Sequence, residues 1–242
     1  MQLENKVAVV TGASSGIGKA TVNKLSEKGC HVVLASRSVD ELKEIKDGLK
    51  GKNMVVELDV TDSKSVDEAF KKIKKKFGRI DILVNNAGVM PLTYLKNDHL
   101  EEWLKTIDVN VKGVLRCMHA VLPGMIEKKD GHIVNIASID GKEFYKGGAV
   151  YSASKAAIIA LSRAMRLEVS SEQNIRVTCI EPGTVDTDLR GDISDEEFKE
   201  DQDWDDNEAK LQPEEIAEGI LYAVSQPASV NVNEVLIAPT RA

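Results

Sequence analysis

A single α/β domain is predicted for this chain, built on a doubly wound parallel sheet of about seven strands with helices on both faces. Three observations predict it. Apolar, β-branched runs alternate with segments of helical period from one end of the chain to the other. Most of those runs are nearly continuous in hydrophobicity, as strands covered on both faces require. Thr11-Gly12-Ala13-Ser14-Ser15-Gly16-Ile17-Gly18 stands directly between the first run and the first helical segment, where such a fold places a phosphate-binding turn.

The first strand, residues 7–10, leads through that turn into a helix over 17–28. The second, 31–35, is followed by a helix over 39–49, and Ser38 with Glu41 has the form of a capping box at its start. A third strand at 54–58 precedes a helix over 63–76. Its Lys71-Lys72-Ile73-Lys74-Lys75-Lys76 reads as the solvated face of a helix ending near Phe77-Gly78. A fourth strand at 82–84 precedes a long helix over 99–127, and a fifth at 132–136 precedes a helix over 149–170. After a sixth strand at 176–180 comes a polar, acidic segment, 186–212, expected to form a substrate lid or a partly disordered loop. Pro213 suits the first turn of a last helix, 213–225, and a seventh strand follows at 234–237. No internal repeat, low-complexity tract or Pro/Gly linker divides the 242 residues, so one domain over 1–242 is expected.

Composition narrows the function classes. The chain is 42% hydrophobic, enough for a buried sheet, yet no apolar run approaches the roughly 18 residues of a membrane span. The N-terminus has no basic region leading into a long apolar core, so no secretory signal is expected. Cys30, Cys117 and Cys179 are odd in number, far apart and without a CxxC pair; they read as reduced, buried thiols of a cytoplasmic protein. The formal charge of −7 is concentrated. Residues 186–208 hold twelve acidic against two basic residues, a local −10, which leaves the remainder near +3. No basic stripe with interleaved aromatics points to nucleic acid. His99, His119 and His132 lack metal-ligand spacing and read as structural, so no metal is expected.

The glycine turn carries the nucleotide reading. Gly12, Gly16 and Gly18 let the backbone turn tightly and approach a pyrophosphate, while Ser14, Ser15, Gly16 and Ile17 open the helix whose free N–H groups would meet its charge. The spacing is four then two, unlike the commonest dinucleotide fingerprint, and a plain tight turn is the alternative. At the tip of the second strand an acid would bond ribose hydroxyls; here Ser36 and Arg37 stand instead, and a guanidinium suits a 2′-phosphate. That favours NADP(H) over NAD(H), the alternative being a solvent-exposed arginine at a loop start. Asp59 and Val60 are placed to reach an adenine edge, and Asn86, Ala87 and Gly88 offer small residues where a cofactor passes close to backbone.

Tyr151-Ser152-Ala153-Ser154-Lys155 carries the chemistry. On a helix, positions four apart share a face, so the Lys155 ammonium lies beside the Tyr151 phenol. A fixed positive charge favours phenolate and draws the tyrosine down from its usual value of about 10. Such a tyrosine exchanges a proton with an alcohol or carbonyl oxygen. The pair alone recurs by chance on many helices.

Taken together these residues resemble the short-chain dehydrogenase/reductase family over essentially the whole chain. The matching pieces are the turn at 11–18, Asp59-Val60, Asn85-Asn86-Ala87-Gly88, Asn110, Ser138, Tyr151 with Lys155, and Pro182-Gly183-Thr184-Val185-Asp186-Thr187. The stretches at 175–183 and 227–233 are most similar to a branch of NADP-dependent 3-hydroxy acid, serine and clavaldehyde dehydrogenases. The resemblance implies a Rossmann-type fold, an oxidoreductase acting on a CH–OH group, and roles for individual residues. Ser138 would hold the substrate oxygen and Tyr151 would be general acid or base. Lys155 would tune Tyr151 and hold the nicotinamide ribose, and Asn110 would support a water chain from Lys155 to solvent. Thr187, with the backbone near Val185, would fix the carboxamide, and Pro182 and Gly183 would also border the cofactor. It also implies a homo-oligomer, tetramer or dimer.

The substrate is expected to be a small carbonyl or alcohol compound. Lys142, Lys146 and Arg190 are candidates to pair with a carboxylate, against which the acidic 186–208 segment argues. Two other readings stand beside this one. A 3-oxoacyl-thioester reductase would want a basic surface for an acidic carrier, and a non-catalytic dinucleotide sensor would be expected to lack Tyr151 or Lys155.

Overall fold

A computed structural model describes residues 3–201 and 209–240. Seven strands form one parallel sheet: β1 (Val7–Thr11), β2 (His31–Ser36), β3 (Met54–Glu57), β4 (Ile82–Asn85), β5 (Gly131–Ile136), β6 (Ile175–Pro182) and β7 (Glu234–Ile237), in the order β3-β2-β1-β4-β5-β6-β7. The expected strands are all present, with ends shifted by one or two residues.

Among the described residues eight α-helices connect them: α1 (Gly16–Glu27), α2 (Val39–Asp47), α3 (Ser63–Phe77), α4 (Leu100–Ile107), α5 (Gly113–Lys128), α6 (Ala149–Gln173), α7 (Glu196–Asp201) and α8 (Pro213–Ser225). The continuous apolar runs follow from two-sided burial. In β1, Val7 and Val9 join the core under α3, α5 and α6, whereas Ala8 and Val10 join the core under α1, α2 and α8. Leu83 against Ile82 and Val84, and Ile133 against Val134, divide in the same way. At the edge, β7 is only half-buried.

Two local expectations need correction. The helix expected over 99–127 is two helices joined by a π-helical turn, Asp108–Lys112. Such a turn carries one extra residue per turn and redirects side chains, often at functional sites. Ser38 does stand at the N-cap of α2, but its side chain makes no cap bond; its N–H donates to Ser36 Oγ at 3.1 Å instead. The reciprocal capping box lies at α8, between Gln212 and Glu215, with Pro213 in the first turn as expected. The lysine run on α3 is exposed around buried Ile73, and the helix stops at Gly78, whose φ is +73°. The three cysteines are buried free thiols, and burial pushes each up to about 12. Among the described residues, no helix is long and apolar enough to cross a membrane, and no group of three or more His, Cys, Asp or Glu is arranged to hold a metal.

Candidate active site

The loops at the carboxyl ends of β1 to β6 enclose a cleft of about 650 Å³, well within the size range of small-molecule sites. It is centred where β1 and β4 lie side by side, because the chain leaves β1 toward one face of the sheet and β4 toward the other.

Two glycines make this junction possible. Gly12 has a φ of +63°, and a Cβ there would stand 2.9 Å from Ala87 Cα; a Cβ on Gly18 would stand 2.2 Å from the Gly12 carbonyl oxygen. Thr11 and Asn86 then lock the two loops together. Thr11 Oγ1 accepts the N–H groups of Asn86 and Ala87, each at 3.0 Å, and the Asn86 amide donates to the carbonyls of Thr11 at 3.0 Å and Gly12 at 3.1 Å. Ser15 stands at the N-cap of α1 in extended backbone, with a φ of −153°, and its side chain makes no cap bond. With Ser14, Gly16 and Ile17 it lines the cleft. A glycine turn ending on a helix start that no side chain caps fits a pyrophosphate, whose charge the leading N–H groups would receive.

Beyond this turn the cleft is walled by Ser36, Arg37 and Ser38 at the end of β2 and by Asp59, Val60 and Thr61 after β3. Burial would raise the Asp59 carboxyl. The Thr61 hydroxyl at 2.7 Å and N–H at 2.9 Å, with the charge of Arg37, outweigh it and hold the group below the ordinary carboxylate value. Ser36 and Ser38 flank the expected phosphate-binding Arg37 and were not foreseen; small hydroxyls on either side of a guanidinium were the available signal.

At the other end, Ser138, Tyr151 and Lys155 come together. Ser138 follows β5 and caps a short 3₁₀ turn, Ile139–Gly141. Its Oγ donates to Asp140 Oδ2 at 3.1 Å and accepts the Asp140 N–H at 3.1 Å. Tyr151, in the first turn of α6, is buried, and Lys155 Nζ lies 5.6 Å from its ring centroid. The ammonium donates to the Ile136 carbonyl at 3.0 Å. Burial pushes the Lys155 amine down to about 8, with the Cys179 and Asp140 side chains pulling the other way.

Ala87, Gly88, Pro182, Gly183, Val185 and Thr187 also line the cleft. Two residues expected at the cofactor do not. Gly18 is buried behind the turn, where its missing side chain admits the Gly12 carbonyl. Asn110 sits buried in the π-helical turn with its amide fully engaged. It accepts the Val89 N–H at 2.9 Å and donates to the Val89 carbonyl at 2.9 Å and to Ser154 Oγ at 3.0 Å. Ser154 in turn donates to the Tyr151 carbonyl at 2.6 Å. The Asn110 side chain thus braces the loop after β4 against the helix that carries Tyr151 and Lys155.

Lys142 and Lys146, expected as candidates to pair with a substrate carboxylate, do not line the cleft. Lys142 is held by the fully buried Glu181 at 2.6 Å and by Glu234 at 3.2 Å, because an uncompensated Glu181 in the core would be costly. Lys146 is exposed and does not line the cleft, and the Arg190 side chain lies outside the described residues. Asp140, Tyr145 and Asp188 line it instead.

The acidic segment is anchored as far as Asp201. Asp195 is buried and accepts the N–H groups of Tyr94 at 2.8 Å and Phe198 at 3.1 Å and the Asn97 amide at 2.9 Å. Phe198 is fully buried on Gly147, where a Cβ would meet its ring at 2.1 Å. At its far end Leu211 bridges to Val185.

The chain is similar to known proteins over most of its length. A family model described as short chain dehydrogenase matches residues 6–197. An uncharacterized oxidoreductase from Staphylococcus saprophyticus subsp. saprophyticus is 45% identical over 243 aligned residues, 99% of each chain. The closed form of a serine dehydrogenase complexed with NADP+ superimposes with a TM-score of 0.88 at 33% identity, covering 96% of this chain and 94% of that one. An alcohol dehydrogenase from the archaeon Thermococcus sibiricus, complexed with 5-hydroxy-NADP, gives 0.85 at 32% identity over 97% and 96%.

Proposed function

The chain belongs to the short chain dehydrogenase family of oxidoreductases, and from that premise we propose that it transfers a hydride between NADP(H) and a small carbonyl or alcohol substrate, with Tyr151 as general acid and base. The observation that carries this reading is the placement of Ser138, Tyr151 and Lys155 in one cleft with the glycine turn. When bound, the nicotinamide supplies or accepts the hydride.

The chain's own residues do the rest. Gly12, Ser14, Ser15, Gly16 and Ile17 would hold the pyrophosphate, and Asp59 and Val60 would border the adenine. Arg37 between Ser36 and Ser38 would take the 2′-phosphate, a reading supported by the NADP complexes of two similar structures. Asn86, Ala87 and Gly88 would pass close to the cofactor, while Pro182, Gly183, Val185 and Thr187 would fix the carboxamide and so the reactive face.

In reduction, Ser138 turns its hydroxyl from Asp140 to the substrate oxygen and Tyr151 gives that oxygen its proton. In oxidation Tyr151 takes the proton back. The Lys155 cation lowers the cost of the phenolate left behind, and it is placed to bond ribose hydroxyls as well. Asn110 and Gly18 act through position, one bracing α6 and the other closing the turn.

Tyr151→Phe tests the reading. It is expected to keep NADPH affinity, measured by fluorescence titration, while reduction of a panel of small aldehydes and ketones falls about 10²- to 10⁴-fold. Full turnover in the variant would reject Tyr151 as proton donor. Arg37→Asp is expected to weaken NADPH affinity by at least about tenfold with little effect on NADH; an equal loss for both would remove the phosphate contact.

A further inference from the structure

The segment after β6 lines the cleft with Asp188 and Leu189, and it also reaches the start of the helix that carries Tyr151. Phe198, in α7, is fully buried, and its ring lies on Gly147 in the place a side chain there would fill. Gly147 has a φ of +81° and precedes Gly148, the N-cap of α6, with Tyr151 in the first turn that follows. The same glycine is held from the loop after β4, since its carbonyl accepts the Thr93 N–H at 2.9 Å. The Thr93 hydroxyl in turn accepts the Trp103 indole N–H of α4 at 2.7 Å.

Tyr151 is packed into this contact. With Met90, Leu92, Ile193 and Phe198 it forms one apolar cluster, against which Tyr94 packs. The Tyr94 ring stands edge-on to that of Phe198, 5.4 Å between centroids. Ile193 and Phe198 come from the acidic segment, and Asp195 holds the latter by accepting its N–H at 3.1 Å. Phe198 does not line the cleft, whereas Tyr151, Met90 and Leu92 do, so any effect of its ring on the reaction runs through them.

We propose that Phe198 is a positioning residue: seated on Gly147, it fixes the start of α6 and the Tyr151 ring, and so couples docking of the acidic segment to a correctly placed proton donor. A fully buried ring wedged against backbone has little room to shift, and its removal leaves a cavity into which the first turn of α6 can relax. A displacement of about 1 Å is enough to cost a large factor in rate. Tyr151's part in hydride transfer rests on the proposed function, whereas the placement of its ring can be read without turnover.

Phe198→Ala and Phe198→Leu test the contact in the full chain. Reduction of small aldehydes and ketones with NADPH separates kcat from KM. Nuclear magnetic resonance of isotope-labelled tyrosine, assigned with Tyr151→Phe, reads the Tyr151 ring directly. Phe198→Ala is expected to lower kcat at least about tenfold with KM changed less than about threefold. It is also expected to leave NADPH affinity unchanged and to move the Tyr151 signal. Phe198→Leu, which keeps much of the apolar volume, is expected to recover part of kcat and part of the signal's wild-type position. A raised KM with kcat unchanged would mean that the segment only covers the substrate, and would overturn the coupling. So would a Tyr151 signal that stays in place in Phe198→Ala. Should the alanine variant fail to fold, the leucine variant decides, a wild-type kcat and an unmoved Tyr151 signal there rejecting the contact. No NADPH oxidation by the wild type on any substrate would refute the hydride-transfer reading, and the Tyr151 signal would then decide the placement by itself.

Discussion

Lys155 is asked to be both buried and charged, and its titration shows the tension. Burial lowers the amine to about 8 from an unfolded value near 10.5, so between those pH values the unfolded chain binds more protons than the folded one. The penalty on stability is therefore complete below about pH 8 and fades as pH rises to about 10.5. Lys155→Met removes it. The melting temperature of the variant minus that of the wild type, without cofactor, is expected to fall by a few degrees between pH 7 and pH 10.5. A difference that stays flat across that range would contradict the burial account. The activity that depends on the cation should run the other way, declining as pH rises through about 8. The spacing of Tyr151 and Lys155 was readable because one helical turn fixes it. Asp140 was not, since nothing in a Ser-Ile-Asp-Gly stretch says that the turn folds the carboxylate back onto the Ser138 hydroxyl.

At the scale of elements, the anchored acidic segment makes the sharpest prediction. Burial would raise the Asp195 carboxyl, but N–H bonds from Tyr94 and Phe198, the Asn97 amide and the His99 ring hold it below the ordinary range. A depressed carboxyl contributes stability above its unfolded value and loses it as pH falls through the folded one, so the anchor holds at neutral pH and loosens only in acid. Asp195→Ala leaves two backbone N–H groups without their acceptor. It is expected to speed proteolytic nicking within residues 188–201 several-fold while global melting moves little, because the segment opens locally; unchanged nicking would show that Asp195 is not the anchor. The sequence marked this stretch by charge alone and left a lid or a disordered loop both open. Its buried points, Asp195 and Phe198, depend on partners about 50 to 100 residues away, at Gly147 and at Tyr94 and Asn97. The π-helical turn escaped notice for a related reason: the apolar period of 99–127 is nearly helical throughout, and the bonds that select the extra residue are made by Asn110 to Val89 and Ser154.

For the whole molecule, the surface carries apolar side chains that a lone domain has little reason to expose. Leu167 on α6 is 84% exposed and Leu115 on the adjoining α5 is 44% exposed; Tyr222 on α8 and Leu236 on edge strand β7 are more than half and half exposed. We expect copies of the chain to associate through the α5 and α6 face and through the β7 edge, giving a tetramer or dimer. Light scattering on a sizing column should show that assembly, and Leu167→Glu should shift it toward smaller species with the fold intact by circular dichroism. A monomer in the unmodified protein would refute the expectation.

The sequence by itself determined what local rules and periodicity encode. The seven-stranded order of β and α followed from two-sided hydrophobic runs, the phosphate turn from glycines at a strand-to-helix junction, and the Tyr151–Lys155 pair from helical spacing. Only the tertiary structure decided where charge ends up. Lys142 looked available to a substrate until the fold buried Glu181 beside it, and Asp140 looked like a turn residue until β5 and α6 brought it to the reacting centre. The reason is that a charged side chain's partner is chosen by which distant group loses its water on folding, and desolvation is a property of the packed molecule that no stretch of sequence contains.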